Sequence, residues 1–397
     1  MHWLILFILV FSDLYSDSLD ESLRAHVKIN PEGENRIGKI TIDDKTSGIS
    51  QATWVYVKNA LEYYKKTKPA LIILELNTPG GEVFSAQKIS DALKEMDVQQ
   101  GIPVVAYINN WAISAGAMLA YSSRYIVITK DASMGAAEPV IQGGTDDELK
   151  TASEKVNSAF RTDFANRASF FDRNPDIAEA MVDKDIILVW RDGKVVRLEE
   201  ESQIIKEGAH PDLVISRKGK LLTLDAKHLI EFHVADLLLP PKKLEPVTSE
   251  ELQKGLYPAS KELLFTYPFF AAIPQSVVEV YPIDWKTRLF VFLANPLVSS
   301  ILVLVMMVGF YIEINTPGFG AAGTLALCAL ALLALSSFSQ EIADKLELVF
   351  LLTGLLIVVF DLLVLPTFGL LGMAGVLLFL AGFFGMLLPG LTSVSFE

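Results

Sequence analysis

The sequence predicts an α/β domain with a largely parallel sheet, followed by an all-α block of membrane-spanning helices. Two observations carry that prediction. Between residues 36 and 129, short continuously apolar stretches alternate with segments whose apolar residues recur at helical spacing, the grammar of buried strands joined by helices. Beyond residue 286 the chain turns almost wholly apolar, and nearly all of its 47 acidic and 34 basic residues fall before residue 290, so the two halves suit different solvents.

Element by element, residues 1–17 hold an apolar stretch of signal-peptide length, too short to span a bilayer, although no basic residue precedes it and no small-residue cleavage site follows. Residues 37–42 alternate as a strand, and residues 50–64 carry an apolar face at helical spacing. ALIILEL at 70–76 is a buried strand closed by Asn-Thr-Pro-Gly-Gly, and residues 83–96 form an amphipathic helix. The unit repeats: PVVAYI at 103–108 reads as a strand, residues 114–122 as a small-residue helix, and residues 125–129 as another buried strand. A longer polar helix is expected over 145–170. Residues 185–221 are charged and turn-rich, an insertion within a domain placed at 18–239. Seven prolines between 240 and 282 mark 240–288 as a linker. Four spans are expected, near 289–312, 319–338, 348–365 and 368–390, with a short tail at 391–397. Asp361 falls inside a span, which makes it a functional candidate unless it sits at a helix end, and the glycines from 369 to 385 suit close helix packing. Internal repeats are not expected.

The acidic balance of the polar half offers no basic stripe and argues against a nucleic-acid partner. The single cysteine, Cys328, lies in an apolar run, so neither a disulfide nor a thiolate metal site is expected, and no cofactor is called for.

Three features carry chemistry. Residues 77–81 (NTPGG) follow a buried strand and precede a helix, so Gly80 and Gly81 can turn backbone N–H groups toward a ligand at the sheet edge; a tight turn alone would look the same. Ser114, in ISAGA, also follows a strand and opens a helix. Serine is a good helix cap, yet the small neighbours on every side supply the clearance that a nucleophile attacking a peptide carbonyl requires. The third feature is MGAAEPV at 134–140, followed by a helix bearing Lys155. The base for Ser114 is open at this level. All five histidines lie outside the strand-helix units beside it, which disfavours a triad, and Lys88, Lys130, Lys150 and Lys155 compete by spacing. A lysine base must fall from a pKa of about 10.4 to about 7–8, which needs burial without a carboxylate; Ala152, Val156, Ala159 and Phe160 could make such a pocket for Lys155.

The ordered set NTPGG, SAGA, MGAAEPV and EKVNSAF, then TLDAKHLIEFHVAD and several apolar spans, resembles the NfeD family of membrane-bound serine proteases, relatives of signal peptide peptidase A and of the Clp proteolytic subunit. The likeness covers residues 36–184 and 222–238 plus the membrane block. It implies a Clp/crotonase-type fold of repeated ββα units. It further implies Ser114 as nucleophile, Lys155 as general base, and the N–H groups of Gly81 and Ala115 as oxyanion donors. The segment that carries the Clp histidine aligns with residues 134–139, which hold none. The implied substrate is a hydrophobic polypeptide stretch, notably of a stomatin-like membrane protein, and the implied assembly a homodimer or larger oligomer. Departures are the inserted 185–221, Asn77 in place of a more frequent aspartate, and a chain end at Glu397 without the small β-barrel that often follows the spans.

The expected function is thus a membrane-anchored serine endopeptidase with a Ser-Lys dyad, its protease domain outside the cytoplasm of a bacterial-type membrane. Gly80, Met118, Leu119, Met134, Gly135 and Val140 are expected to line its substrate cleft. The rivals are a catalytically silent scaffold that organises membrane partners and a crotonase-type acyl-CoA enzyme, which would want a basic cluster for the CoA phosphates.

Overall fold

The structure, a computed structural model, describes residues 18–43, 48–142, 149–283, 285–316, 320–339, 345–363 and 370–387. The expected signal peptide at 1–17 and the tail at 391–397 lie outside them. The chain divides into two compact units, residues 1–50 with 57–282, and residues 51–56 with 283–397.

In the first unit, helix α1 (residues 18–26) precedes β1 (Asn35–Asp43), α2 (Gln51–Thr67), β2 (Leu71–Thr78), α3 (Val83–Val98), β3 (Val104–Ile113), α4 (Ala115–Tyr121) and β4 (Tyr125–Ile128). The expected strand-helix alternation is present. β2 is buried along nearly its whole length because both faces are covered. Short strands β5 (Ser133–Gly135), β6 (Val140–Gln142) and β7 (Leu149–Thr151) lead into α5 (Glu154–Phe170) and α6 (Pro175–Val182). The expected helix over 145–170 therefore starts only at 154, after a strand that pairs antiparallel with β6. Residues 187–216 form β8 (Ile187–Arg191), β9 (Lys194–Leu198) and β10 (Leu213–Ser216), a separate antiparallel sheet with its own small core of Ile187, Val189, Leu198 and Ile204. The stretch 185–221, charged and turn-rich in sequence, thus carries a small sheet of its own. Arg191 clamps it by donating to Asp212 at 2.8 and 2.7 Å, and that hydrogen bonding holds the Asp212 carboxyl down at about 2.

The unit closes with β11 (Thr223–Asp225), α7 (Ala226–Glu231), β12 (Leu237–Leu238), α8 (Ser249–Lys254), β13 (Leu256–Pro258), α9 (Pro268–Ala271) and β14 (Ser276–Val280). The main sheet has nine strands among the described residues, ordered β11-β5-β3-β2-β1-β14-β13, with β4 and β12 continuing from β3. Its pairings are parallel except β11 with β5 and β13 with β14.

Residues 240–283 are no linker, and the domain does not stop at 239. β14 pairs parallel with β1, and Tyr257, Leu264, Phe265, Phe269, Phe270 and Ile273 pack with Leu19 and Leu23 over Ile37, Leu71, Ile73, Val105, Tyr107 and Val127. The prolines suggested a connector. Physically, the sheet face opposite α2 to α4 is as apolar as the other and has to be covered, and the aromatic residues of this segment cover it.

In the second unit α10 (Trp285–Leu293) ends before Asn295, whose side chain caps α11 (Pro296–Ile314). The first span expected from 289 is thus broken, and α11 begins where proline occupies the first helical turn. α12 (Ala321–Ser339), α13 (Lys345–Leu363) and α14 (Leu370–Leu387) follow. Each is about 27–29 Å long at 1.5 Å per residue. Among the described residues α11 alone is long and apolar enough throughout to cross a membrane, the apolar stretches of the others being shorter.

These helices do contain a repeat that a linear reading missed. Pro317-Gly-Phe-Gly-Ala-Ala-Gly323 and Pro366-Thr-Phe-Gly-Leu-Leu-Gly372 share Pro-x-Phe-Gly-x-x-Gly. Glu313, near the end of α11, accepts the N–H groups of Gly320 and Gly323 at 2.6 and 2.7 Å; Asp361, near the end of α13, accepts that of Gly372 at 2.9 Å. In each hairpin a carboxylate of the first helix satisfies the free N–H groups that open the second. Gly375 meets Gly354 closely, as small residues at a helix interface do.

Candidate active site

β2 and β3 end side by side at the carboxyl edge of the sheet, where α/β folds place their sites. After β2 the chain turns through Gly80 at φ 110° and Gly81 at φ 150°. A Cβ on Gly80 would stand 2.5 Å from Ser114 Cβ and 3.0 Å from its Oγ, so only glycine permits the approach of this turn to the serine. Thr78 Oγ1 ties the turn down, accepting the Gly80 N–H at 3.2 Å. Ile49 forms a parallel bridge with Gly81, its N–H donating to Gly80 O at 2.6 Å and its carbonyl accepting from Glu82 N at 2.8 Å. A parallel bridge uses the flanking groups and leaves the central residue's own N–H on the other side. That N–H of Gly81 faces away from Ile49.

Ser114 stands between β3 and α4 with φ 54° and ψ −119°. Its N–H donates to Gly135 O at 2.8 Å, while its side chain makes no capping hydrogen bond. The cap explanation of this serine is thereby set aside: its hydroxyl is half-buried and takes no partner among the described residues. The next N–H, of Ala115, opens α4 and has no intrahelical acceptor. Gly116 lets α4 approach the turn, since a Cβ there would lie 2.8 Å from Thr78 Cγ2. Gly135, at φ 138°, pairs with Ile113, and a Cβ on it would strike Leu222 O at 2.4 Å. Ser114, Gly80, Gly81, Ala115 and Gly135 thus converge on one locus.

Met118 and Met134 do not line an open cleft: they are 2% and 0% exposed, inside the core beneath the serine. The side chains of α4 point into the domain because the helix packs on the sheet, which withdraws Met118 and Leu119 together. Val140 is half-exposed.

Lys155 lies in the first turn of α5, exposed and without a hydrogen bond or ion pair among the described residues. The apolar surroundings expected for it are not formed, since Val156 is also exposed, and Glu154 turns instead to Arg161 at 2.7 Å. The reason is helical phase. α5 packs on α4 through Phe164, and Lys155, nine residues earlier, falls on about the opposite side at 3.6 residues per turn. The residue of this first turn that is buried is Asn157; sequence reasoning passed over it because an asparagine among polar helix residues gives no local signal.

Of the histidines, His26 bonds to Ser22 O at 2.8 Å and His228 to Asp225 at 2.8 Å. Among the described residues no cluster suits a metal ion.

Comparison with known proteins brings this architecture beside named relatives. Residues 40–204 match the family model described as the N-terminal domain of NfeD1b, and residues 297–396 that of the NfeD integral membrane domain. The chain is 29% identical to the membrane protein NfeD1b of Bacillus subtilis over 359 residues, 89% of this chain and 69% of that one. It is 23% identical to the membrane-bound protease PH1510 of Pyrococcus horikoshii over 327 residues, 80% of this chain and 62% of the relative's length. Among solved structures, a mutant of the 1510-N membrane-bound stomatin-specific protease with a substrate peptide aligns at 18% identity and a TM-score of 0.43, covering 67% of this chain and all of that one.

Proposed function

Because the chain belongs to the NfeD family of membrane proteins, we propose that it is a membrane-bound serine endopeptidase in which Ser114 is the nucleophile and Lys155 the general base. The observation that carries this reading is the conformation of Ser114. A non-glycine residue at positive φ, on a strand-to-helix turn, with a hydroxyl that caps nothing and a glycine turn against its Cβ, is built for attack rather than for helix stability. Neutral Lys155 takes the Ser114 proton as Oγ bonds to the scissile carbonyl carbon. The oxyanion is held by the N–H groups of Gly81 and Ala115. Lys155 returns the proton to the leaving amine, and water then releases the acyl group from Ser114.

Lys155 is exposed in this structure, and a general base must meet the hydroxyl it deprotonates without water between them. Its desolvation therefore accompanies substrate binding, when an apolar segment laid against the exposed Val140 and Val156 excludes water. That requirement favours hydrophobic polypeptide segments, and a stomatin-like membrane protein suits the relatives of this chain. Gly80 and Gly135 flank the reacting bond, and the strand-helix units read as a Clp/crotonase-type fold. The four apolar helices act as membrane spans, the protease domain lies outside the cytoplasm, and the working form is a homodimer or larger.

The alternative, a catalytically silent membrane scaffold, is favoured by the same exposure of Lys155. Labelling of the detergent-solubilised chain with a fluorophosphonate decides between them. The endopeptidase reading expects labelling that is lost in Ser114→Ala and reduced at least about a hundredfold in Lys155→Ala; an unlabelled native chain that also cleaves no apolar peptide means a scaffold.

A further inference from the structure

α10 and α11 are two helices rather than one. Between them Asn295 accepts the Leu297 N–H at 2.9 Å and Pro296 opens α11, so the second helix starts afresh. The end of α10 is fastened to the helical block: Leu293 O accepts from Ser299 Oγ of α11 at 2.9 Å and from Ser336 Oγ of α12 at 3.0 Å. The start of α11 and the end of α12 therefore hold it at one side of that block. α11 is by itself about 28 Å long, close to the roughly 30 Å of a hydrocarbon core, and the match to an integral membrane domain begins only at residue 297. α10 thus falls at the membrane boundary, outside the hydrocarbon in which Lys286 and Arg288 would be costly.

The two sides of α10 differ. Trp285, Arg288 and Phe292 are spaced i, i+3 and i+7 and so share one face; Trp285 is 71% and Phe292 59% exposed, and Arg288 is exposed between them, with Lys286 beside. Thr287 and, one residue past the helix, Ala294 mark the opposite face, and both are buried. Neither Lys286 nor Arg288 has a carboxylate partner or a hydrogen bond among the described residues; Lys286 stands over the Trp285 ring at 6.0 Å. Water is a poor surrounding for two aromatic rings on one stripe, whereas a membrane interface takes rings at headgroup level and cations at the phosphates. We propose that this face of α10 lies in the interface and binds anionic lipid headgroups, Arg288 and Lys286 pairing with the phosphate while Trp285 and Phe292 enter the acyl boundary. Charge and continuity select that occupant. Residues 284–293 hold two cations against one acid, Asp284, and the helix leads directly into the α11 span. A guanidinium fork matches phosphate oxygens, and the lysine adds a point charge. A zwitterionic headgroup carries its own cation beside the phosphate, so the pairing prefers the anionic lipid. The inference needs the membrane block and is independent of the Ser-Lys reading.

The test places the full chain in lipid nanodiscs of equal phosphatidylglycerol and phosphatidylcholine, with bromine on the acyl chains of one lipid or the other. Bromine quenches the fluorescence of rings it touches, and the Trp285 signal is the difference between the native chain and Trp285→Phe. Trp285 is expected to be quenched in both discs, and at least about twofold more by brominated phosphatidylglycerol. Lys286→Gln combined with Arg288→Gln is expected to keep the quenching and equalise the two lipids, and salt at about 0.5 M to narrow the difference in the native chain by screening. Phe292→Trp in the Trp285→Phe chain puts a second reporter on the same face and is expected to show the same preference. Trp285 quenched by neither lipid means that the face meets water or protein and overturns the proposal. Equal quenching by both lipids in the native chain, or a preference that survives the loss of both cations, overturns it as well, since the headgroup charge is then not read.

Discussion

Ser114 occupies a backbone region, φ 54° and ψ −119°, that costs a residue with a Cβ about 1–3 kcal/mol. Gly80 stands in the reverse position, a glycine that a Cβ would drive into that serine. Two substitutions should therefore change stability in opposite directions. Ser114→Gly is expected to raise the unfolding free energy by about 1 kcal/mol as the strain is relieved, and Gly80→Ala to lower it by about 2 kcal/mol through the clash and its φ of 110°; urea denaturation of both variants checks the signs, and both should lose labelling. Equal destabilisation by the two would mean that the Ser114 conformation is not strained. This locus was legible in the sequence because small residues directly after apolar strands are a local pattern. The environment of Lys155 and Asn157 was not, since which side of α5 is buried depends on where Phe164 meets Tyr121, a contact between residues 43 positions apart in the chain.

At the scale of elements, the hairpins α11-α12 and α13-α14 solve one problem twice. The N–H groups that open a helix need acceptors, and in hydrocarbon water cannot supply them. Glu313 and Asp361 supply them from the preceding helix, which gives both acids a structural explanation before a chemical one. Glu313→Ala is expected to destabilise its hairpin by about 2–3 kcal/mol, by leaving the Gly320 and Gly323 N–H groups unpaired, whereas Glu313→Gln keeps an acceptor and costs about 1 kcal/mol. Thermal inactivation in detergent, scored by loss of the folded species on size exclusion, gives the ranking. A Glu313→Gln variant as unstable as Glu313→Ala would instead assign the effect to the charge. The matching segments escaped the linear reading because Pro-x-Phe-Gly-x-x-Gly is short and its flanks differ; the common device is visible only once Glu313 and Asp361 are seen reaching the glycines that correspond.

For the whole first unit the question is where the fold ends. A boundary at 239 follows from the prolines between 240 and 282 and from the last apolar helix before them, and it omits the second face of the sheet. That face carries Ile37, Leu71, Ile73, Val105, Tyr107 and Val127, and its cover includes Tyr257, Leu264, Phe265, Phe269, Phe270 and Ile273. Burying a large apolar side chain contributes about 1.5–3 kcal/mol, so six cover residues alone contribute about 9–18 kcal/mol by area, comparable with the roughly 5–15 kcal/mol by which a domain is usually stable. The same segment supplies β14 as partner to β1, and Glu279, whose carbonyl accepts from Tyr64 Oη at 2.8 Å and whose carboxylate accepts from Tyr63 Oη at 2.8 Å. Sheet edge and sheet face are lost together if the chain is cut at 239. Residues 18–283 are accordingly expected to unfold in one cooperative urea transition, and residues 18–239 to show none, with near-ultraviolet circular dichroism collapsed. A cooperative transition in the shorter chain would mean that the 240–283 segment decorates a fold complete without it, and that the turn at Gly80 to Gly81 does not depend on β14 to hold β1 and β2 in register.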